Sequence, residues 1–213
     1  MIAISGGRDR LGVEGPFPDV QTVFLDRDGV INRKPAEGKY IGHWNEVEIL
    51  PGAELAIAAL NRSGRRVIVV SNQRGIALGI YTRAGVEALH RQMQEHLAVE
   101  GAHIDAFYYC PHDIGQCDCR KPRTGMFEQA FRDFPGASSA GSVLIGDSLS
   151  DIEAARALGM PSVFITGDAS TQKEGAEQAA RLADRVAPSL LEAVERYLLP
   201  DFPSPQVTAN PPA

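Results

Sequence analysis

The chain has 213 residues, of which 44% are hydrophobic and 23% charged, with a formal net charge of −6. That length suits one domain with a substantial core, and the acidic balance argues against nucleic acid as a partner, because phosphate backbones attract basic surfaces. No apolar stretch approaches the roughly 20 residues of a membrane helix and residues 1–18 lack the apolar core of a signal peptide, so a cytoplasmic chain with no membrane partner, monomeric by default, is expected.

Residues 1–18 are rich in Gly and Pro without any period and read as a loose arm; residues 200–213 read as an irregular Pro-rich tail. Between them, 19–199 reads as one domain. Residues 20–25, with Val20, Thr22, Val23, Phe24 and Leu25, form a β-branched and aromatic run that predicts a buried strand. Residues 33–50 show no period, and a loop of that length inside a domain is usually functional. Pro51-Gly52 opens a helix with Leu55, Ala56, Ala59 and Leu60 on one face, stopped by Gly64. A short strand follows at 67–70. Thr82 caps a helix to about Val99, with Val86, Leu89, Met93 and Leu97 at helical spacing. Residues 104–109 read as extended, 126–134 as a helix, 143–145 and 163–165 as strands, and 151–158 as a helix closed by Gly159. Ser189-x-x-Glu192 predicts a capping box before Leu190, Leu191, Val194 and Leu198. Short strands alternating with helices imply an α/β fold built on a doubly wound parallel sheet, with no room for a large cap domain.

Acidic and polar residues gather where these strands end. Asp26-Arg27-Asp28-Gly29 follows the first strand, Ser71-Asn72 the second, and Gly146-Asp147-Ser148 the fourth, with Asp151 four residues on and Arg120-Lys121-Pro122 between. Taken singly, each has a plainer explanation: a turn, a helix cap, a solvated lysine. Strand ends meet at one edge of a parallel sheet, where ligands bind. Together they hold what phosphoryl transfer requires: a carboxylate nucleophile, a carboxylate acid/base, a hydroxyl, a cation and carboxylates for Mg²⁺.

The three cysteines, Cys110, Cys117 and Cys119, lie within ten residues and make no secreted disulfide framework. With His112 they form Cys-x-His-x4-Cys-x-Cys, a small zinc knuckle over 110–119 whose four soft or borderline ligands suit a closed, structural Zn²⁺ site. The alternative is three buried thiols with His112 at the surface. A zinc ion there would order a loop almost free of apolar residues, and would fix the backbone that leads into Arg120 and Lys121.

The set Asp26-x-Asp28-Gly-Val, Ser71-Asn, Lys121-Pro and Gly146-Asp147-x3-Asp151 resembles the four motifs of the haloacid dehalogenase superfamily of phosphatases, over about residues 20–166. The resemblance implies Asp26 as nucleophile, Asp28 as acid/base, and Ser71 and Lys121 as holders of the phosphoryl group. It also implies Mg²⁺ on Asp26, the backbone carbonyl of Asp28, and Asp147, with Asp151 behind them. The knuckle narrows the likeness to the heptose-bisphosphate 7-phosphatases and the histidinol-phosphate phosphatases. Asp28-Gly-Val-Ile-Asn32, Tyr40-Ile41, Asn72-Gln73-x-Gly75-Ile76-Ala77 and Arg120-Lys-Pro-x-x-Gly125-Met126 look closer to the former. That implies a small sugar bisphosphate as substrate, with Tyr40, Asn72, Gln73 and Arg74 beside it and Arg120 on its second phosphate. Arg74 stands where that branch often has Ser, and either adds a cation near the phosphate or faces solvent. Two further readings are a polynucleotide 3′-phosphatase, which the acidic charge disfavours, and a zinc-stabilised binding module without catalysis.

Overall fold

A computed structural model describes residues 15–17, 19–36, 38–168 and 174–201. The expected arm at 1–18, apart from 15–17, and the tail beyond residue 201 lie outside the described residues. Within them run the strands β1 (Thr22–Leu25), β2 (Arg66–Asn72), β3 (Ala106–Cys110), β4 (Ser142–Gly146), β5 (Ser162–Ile165) and β6 (Arg185–Ala187). They form a single sheet in the order β3-β2-β1-β4-β5-β6, with every neighbouring pair parallel. The helices α1 (Ala53–Arg62), α2 (Arg83–Val99), α3 (Gly125–Asp133), α4 (Leu149–Ala157), α5 (Ala176–Leu182) and α6 (Leu190–Tyr197) alternate with the strands, as a doubly wound sheet requires.

Successive strand residues face opposite sides of a sheet. Val23, Leu25, Val67, Val69, Val143 and Ile145 join one core with α1, α2 and α6. Phe24, Ile68, Val70 and Leu144 join the other with α3 and α4. There Phe24 meets the edges of Phe127 and Phe131, with ring centroids 5.1 and 5.7 Å away. Covering both faces explains why the strands read as continuous apolar runs rather than alternating ones.

Several boundaries depart from the sequence reading. β2 continues past Val70 to Asn72, because Ser71 and Asn72 pair with Tyr109 and Cys110 of β3. α4 begins at Leu149, not Asp151: Ser148 caps it, and Asp151 is the third helical residue that completes the capping box. The expected box at Ser189 is half formed. Ser189 Oγ accepts from the Glu192 N–H at 3.2 Å, while the Glu192 carboxylate pairs with Arg196. α5 and β6 were not expected; seven and three residues are too short to display a period. The aperiodic loop contains one 3-10 turn, Trp44–Glu46, steadied by Glu46 accepting from the Gly42 and His43 N–H groups. No cap domain stands among the described residues between β1 and β3, and no helix there is long and apolar enough to cross a membrane.

Candidate active site

The strand order turns back on itself between β1 and β4, and a crevice opens there beyond the carboxyl ends of the strands. Asp26 follows β1, Ser71 lies in the end of β2, and Asp147 follows β4, so the sheet register brings all three to one edge. Lys121 reaches the same point from the knuckle side. Its ammonium lies 3.0 Å from Asp26 Oδ1 and 2.6 Å from Asp151 Oδ1, and donates to the Val70 carbonyl oxygen at 2.7 Å. Asn72 clamps the Lys121 backbone from both sides, accepting from its N–H at 3.0 Å and donating to its carbonyl at 3.1 Å. Asn72, expected beside the substrate, therefore has both ends of its amide engaged in positioning Lys121.

Asp28 has its own set of donors beside this point. Its carboxylate accepts from Arg27 Nη2 at 2.9 Å on both oxygens, from Asn32 Nδ2 at 2.9 Å and from Gln73 Nε2 at 3.3 Å. Burial alone would raise this carboxyl, yet Arg27 and the donated hydrogen bonds hold it below the usual carboxylate range. Asp26 moves the other way: burial pushes it up against the pull of Lys121, and Asp151, Asp147 and Asp28 add to the rise. Lys121, wedged between two carboxylates, is driven above its usual range although burial opposes this.

Asp26, Asp28, Asp147 and Asp151 face the three cations Arg27, Lys121 and Lys34, the last of which bonds to Asp147 Oδ2. One oxygen from each of Asp26, Asp147 and Asp151 falls within 4.8 Å of the others. Asp151 is fully buried and already committed to Lys121 and to Ser148, whose N–H and hydroxyl it accepts at 3.1 and 2.5 Å. Asp26 and Asp147, less deeply buried than Asp151, offer hard carboxylate oxygens in an acidic cluster, a donor set that fits Mg²⁺. Gly29 makes the approach possible: at φ +95° a Cβ there would lie 2.0 Å from Asp147 Oδ2. A cleft of about 40 Å³ lined by Gly29, Lys34, Asp147 and Asp168 opens beside this cluster.

The knuckle residues also converge. Cys110 Sγ lies 3.5 Å from Cys117 Sγ, Cys119 Sγ lies 3.3 Å from Cys117 Sγ, and His112 Nδ1 stands 3.7 and 3.3 Å from Cys110 and Cys119. The cysteines are free. Disulfide sulfurs lie about 2 Å apart, whereas a tetrahedron with metal–sulfur bonds of about 2.3 Å has edges of roughly 3.7 Å. The four groups therefore fit a tetrahedral ion. Cys110 ends β3, and its carbonyl accepts from the Gln73 N–H at 2.8 Å, joining knuckle and site.

Of the other residues expected at the substrate, Gln73 is buried, with its amide engaged by Ser71, Asp28 and Tyr81. Arg74 neither stands free nor faces only solvent: its Nε lies 2.5 Å from Asp113 Oδ1 of the knuckle. Tyr40 meets the edge of Tyr81 at 6.3 Å. Arg120 buries Nη1 without a hydrogen-bond partner among the described residues. The sequence reading overlooked Arg27 and Lys34. A cation between two carboxylates at a buried strand end was a usable signal for Arg27. None existed for Lys34, whose partner lies 113 residues away.

A family model described as HAD-hydrolase-like matches residues 118–193. A Mycobacterium bovis protein named D-glycero-alpha-D-manno-heptose-1,7-bisphosphate 7-phosphatase is 43% identical over 134 residues, 62% of this chain and 70% of that protein. A Vibrio cholerae protein named as the 7-phosphatase of the beta anomer is 40% identical over 185 residues, 83% of this chain and 95% of that one. The crystal structure of a D,D-heptose 1,7-bisphosphate phosphatase from B. bronchiseptica, complexed with magnesium and phosphate, superposes with a TM-score of 0.74 at 31% identity, covering 86% of this chain and all of that one. The carboxylates and lysine gathered at the β1, β2 and β4 ends, and relatives matched over most of their length, lead to one conclusion: the chain belongs to the haloacid dehalogenase-like hydrolases and is a phosphatase.

Proposed function

We propose that the chain is a Mg²⁺-dependent phosphomonoester hydrolase that removes the 7-phosphate of D-glycero-D-manno-heptose 1,7-bisphosphate through an aspartyl phosphate on Asp26. The observation that carries this reading is the meeting of Asp26, Ser71, Lys121 and Asp147 at one sheet edge. The names of the relatives support the substrate. Arg120, with a buried and unpartnered Nη1, supports an anionic second group on it.

Asp26 and Asp147, with the Asp28 backbone carbonyl, would hold the Mg²⁺; when bound, the ion supplies charge neutralisation for the phosphate dianion. In the first step an Asp26 carboxylate oxygen attacks phosphorus. The bond from phosphorus to the sugar oxygen breaks, and Asp28 gives that oxygen its proton. In the second step Asp28 takes a proton from water, the water oxygen attacks phosphorus, and the bond to Asp26 breaks to release inorganic phosphate. The low-lying Asp28 carboxyl suits the base half of this cycle. A phosphoryl dianion arriving nearby opposes the pull of Arg27 and supplies the rise that the acid half needs. Ser71 and Lys121 hold phosphoryl oxygens at fixed positions, and positioning with preorganised charge is the main resource in such reactions.

A zinc ion on Cys110, His112, Cys117 and Cys119 completes the proposed cofactors, and three free thiols in one cluster favour a reducing, cytoplasmic setting. The domain is proposed to run over 19–199 and to act as a monomer.

The Cys110, His112, Cys117 and Cys119 knuckle, which also resembles that of the histidinol-phosphate phosphatases, gives histidinol phosphate as the second reading. A kcat/KM panel tests both. It compares the two heptose bisphosphate anomers, histidinol phosphate, fructose 1,6-bisphosphate and a 3′-phosphorylated oligonucleotide. One heptose anomer is expected to lead by about tenfold or more, the scale on which pocket contacts discriminate. Histidinol phosphate or the oligonucleotide in first place would reject the assignment.

A further inference from the structure

Tyr81 lies outside every motif, yet it is built into the site. Its ring is 8% exposed and stands between two glycines: a Cβ on Gly75 would lie 2.5 Å from Tyr81 Cζ, and one on Gly42 would lie 2.8 Å from Tyr81 Cδ1. Gly42 belongs to the long loop after β1, and Gly75 to the turn after β2. The ring therefore has one place to go.

From that place the hydroxyl donates to Gln73 Oε1 at 2.7 Å. Burial pushes the phenol up to about 12, so it keeps the proton it donates. With Oε1 facing Tyr81, the Gln73 NH₂ group faces the site, donating to Ser71 Oγ at 2.7 Å and to Asp28 Oδ2 at 3.3 Å. A reversed amide would set its carbonyl oxygen against the Asp28 carboxylate, with no proton between them. Ser71 Oγ is thus an acceptor toward Gln73, and its own hydrogen is left for another acceptor.

We propose that Tyr81 is a positioning residue. Through Gln73 it fixes the Ser71 hydroxyl as a donor toward the phosphoryl group and steadies the Asp28 carboxylate. The proposal rests on the phosphatase chemistry assigned above to Ser71 and Asp28. It also gives the loop that carries Tyr40 and Gly42 a route to the reacting groups, because that loop packs on the same ring. Substrate seated against the loop and phosphoryl group held by Ser71 are then registered by one side chain.

The test uses Tyr81→Phe in the full chain with Mg²⁺, which keeps the ring between its glycines and removes only the hydroxyl. On the best substrate of the panel, kcat falls about tenfold, the scale of one lost hydrogen bond, while KM stays within about twofold. In a Gln73→Leu background Tyr81→Phe adds no loss, because the hydroxyl acts only through that amide. Independently of substrate, NMR exchange of the Gln73 side-chain amide protons quickens about tenfold in Tyr81→Phe. Unchanged kcat in Tyr81→Phe, an equal loss in the Gln73→Leu background, or an unchanged amide exchange rate would each overturn the proposal. Should Gln73→Leu not fold, the Tyr81→Phe kcat and the amide exchange decide. A wild-type chain inactive on every phosphomonoester would instead reject the proposed function, and the exchange measurement would still read the relay.

Discussion

Lys121 is a single, buried ammonium that two carboxylates and a strand carbonyl share. Removing one partner from a buried ion pair costs about 3–5 kcal/mol, because the charge left behind has neither water nor a counterion. Lys121→Met should therefore lower unfolding free energy in urea by about that amount, in addition to abolishing turnover. Lys121→Met/Asp151→Asn should regain part of the stability and none of the activity. A single variant as stable as wild type would show that Asp26 and Asp151 do not depend on this lysine. At this scale the sequence displayed the groups that end strands: Asp26, Ser71, Asp147. It concealed the groups that hold them, since Gln73, Tyr81 and Lys34 gain meaning only from partners that the fold delivers. The family resemblance implied Asn72 and Gln73 as substrate contacts, and the hydrogen bonds show each also bracing its neighbours.

Two elements carry consequences of their own. The knuckle hangs from the end of β3, and its Cys110 carbonyl anchors Gln73. Metal analysis should find one zinc per chain. Cys117→Ser should release it and reduce kcat as well as stability, because the segment leading to Arg120 and Lys121 loses its anchor. Purified protein without zinc would end that reading. The other element is α2, where His90 is buried and stacked on Phe107 of β3 with ring centroids 4.4 Å apart. Burial pulls its imidazole down to about 3, so the folded chain keeps it neutral. The unfolded chain binds that proton below about 6.5. Stability is thus independent of this group above pH 6.5 and falls by about 1.4 kcal/mol for each pH unit below it, until pH 3. Between pH 7.5 and 5, His90→Phe should lose about 2 kcal/mol less than wild type in urea unfolding. Equal losses would mean that the ring finds water or a counterion when protonated. Neither consequence was visible beforehand in full. The Cys and His spacing announced the knuckle, but His90 shares its helix face with Val86, Leu89 and Met93, and only the packing of β3 shows what it stacks on.

Across the whole molecule, the strand-helix alternation sufficed for the parallel, doubly wound sheet, and the carboxyl-edge rule then located the site before any distance was known. The strand order itself was not legible, and α5 with β6 escaped because a seven-residue helix and a three-residue strand hold too few turns for a pattern. With no cap domain among the described residues between β1 and β3, the proposed substrate recognition falls to the loop at 33–50 and to the knuckle, which Arg74 bridges through Tyr40 and Asp113. Arg120→Ala should consequently reduce kcat/KM on a sugar bisphosphate about tenfold or more beyond its effect on a simple phosphomonoester, because only the former offers a second anion to a guanidinium. Equal losses on the two would remove Arg120 from substrate recognition.

The most direct measurement is borohydride quenching of the wild-type chain during turnover, followed by peptide mass spectrometry. An acyl phosphate at residue 26 is reduced to homoserine, which should be found there only when substrate and Mg²⁺ are both present, and never in Asp26→Asn, whose turnover should fall about 10⁴-fold or more. Homoserine at another aspartate, or sustained turnover by Asp26→Asn, would contradict phosphoryl transfer through Asp26.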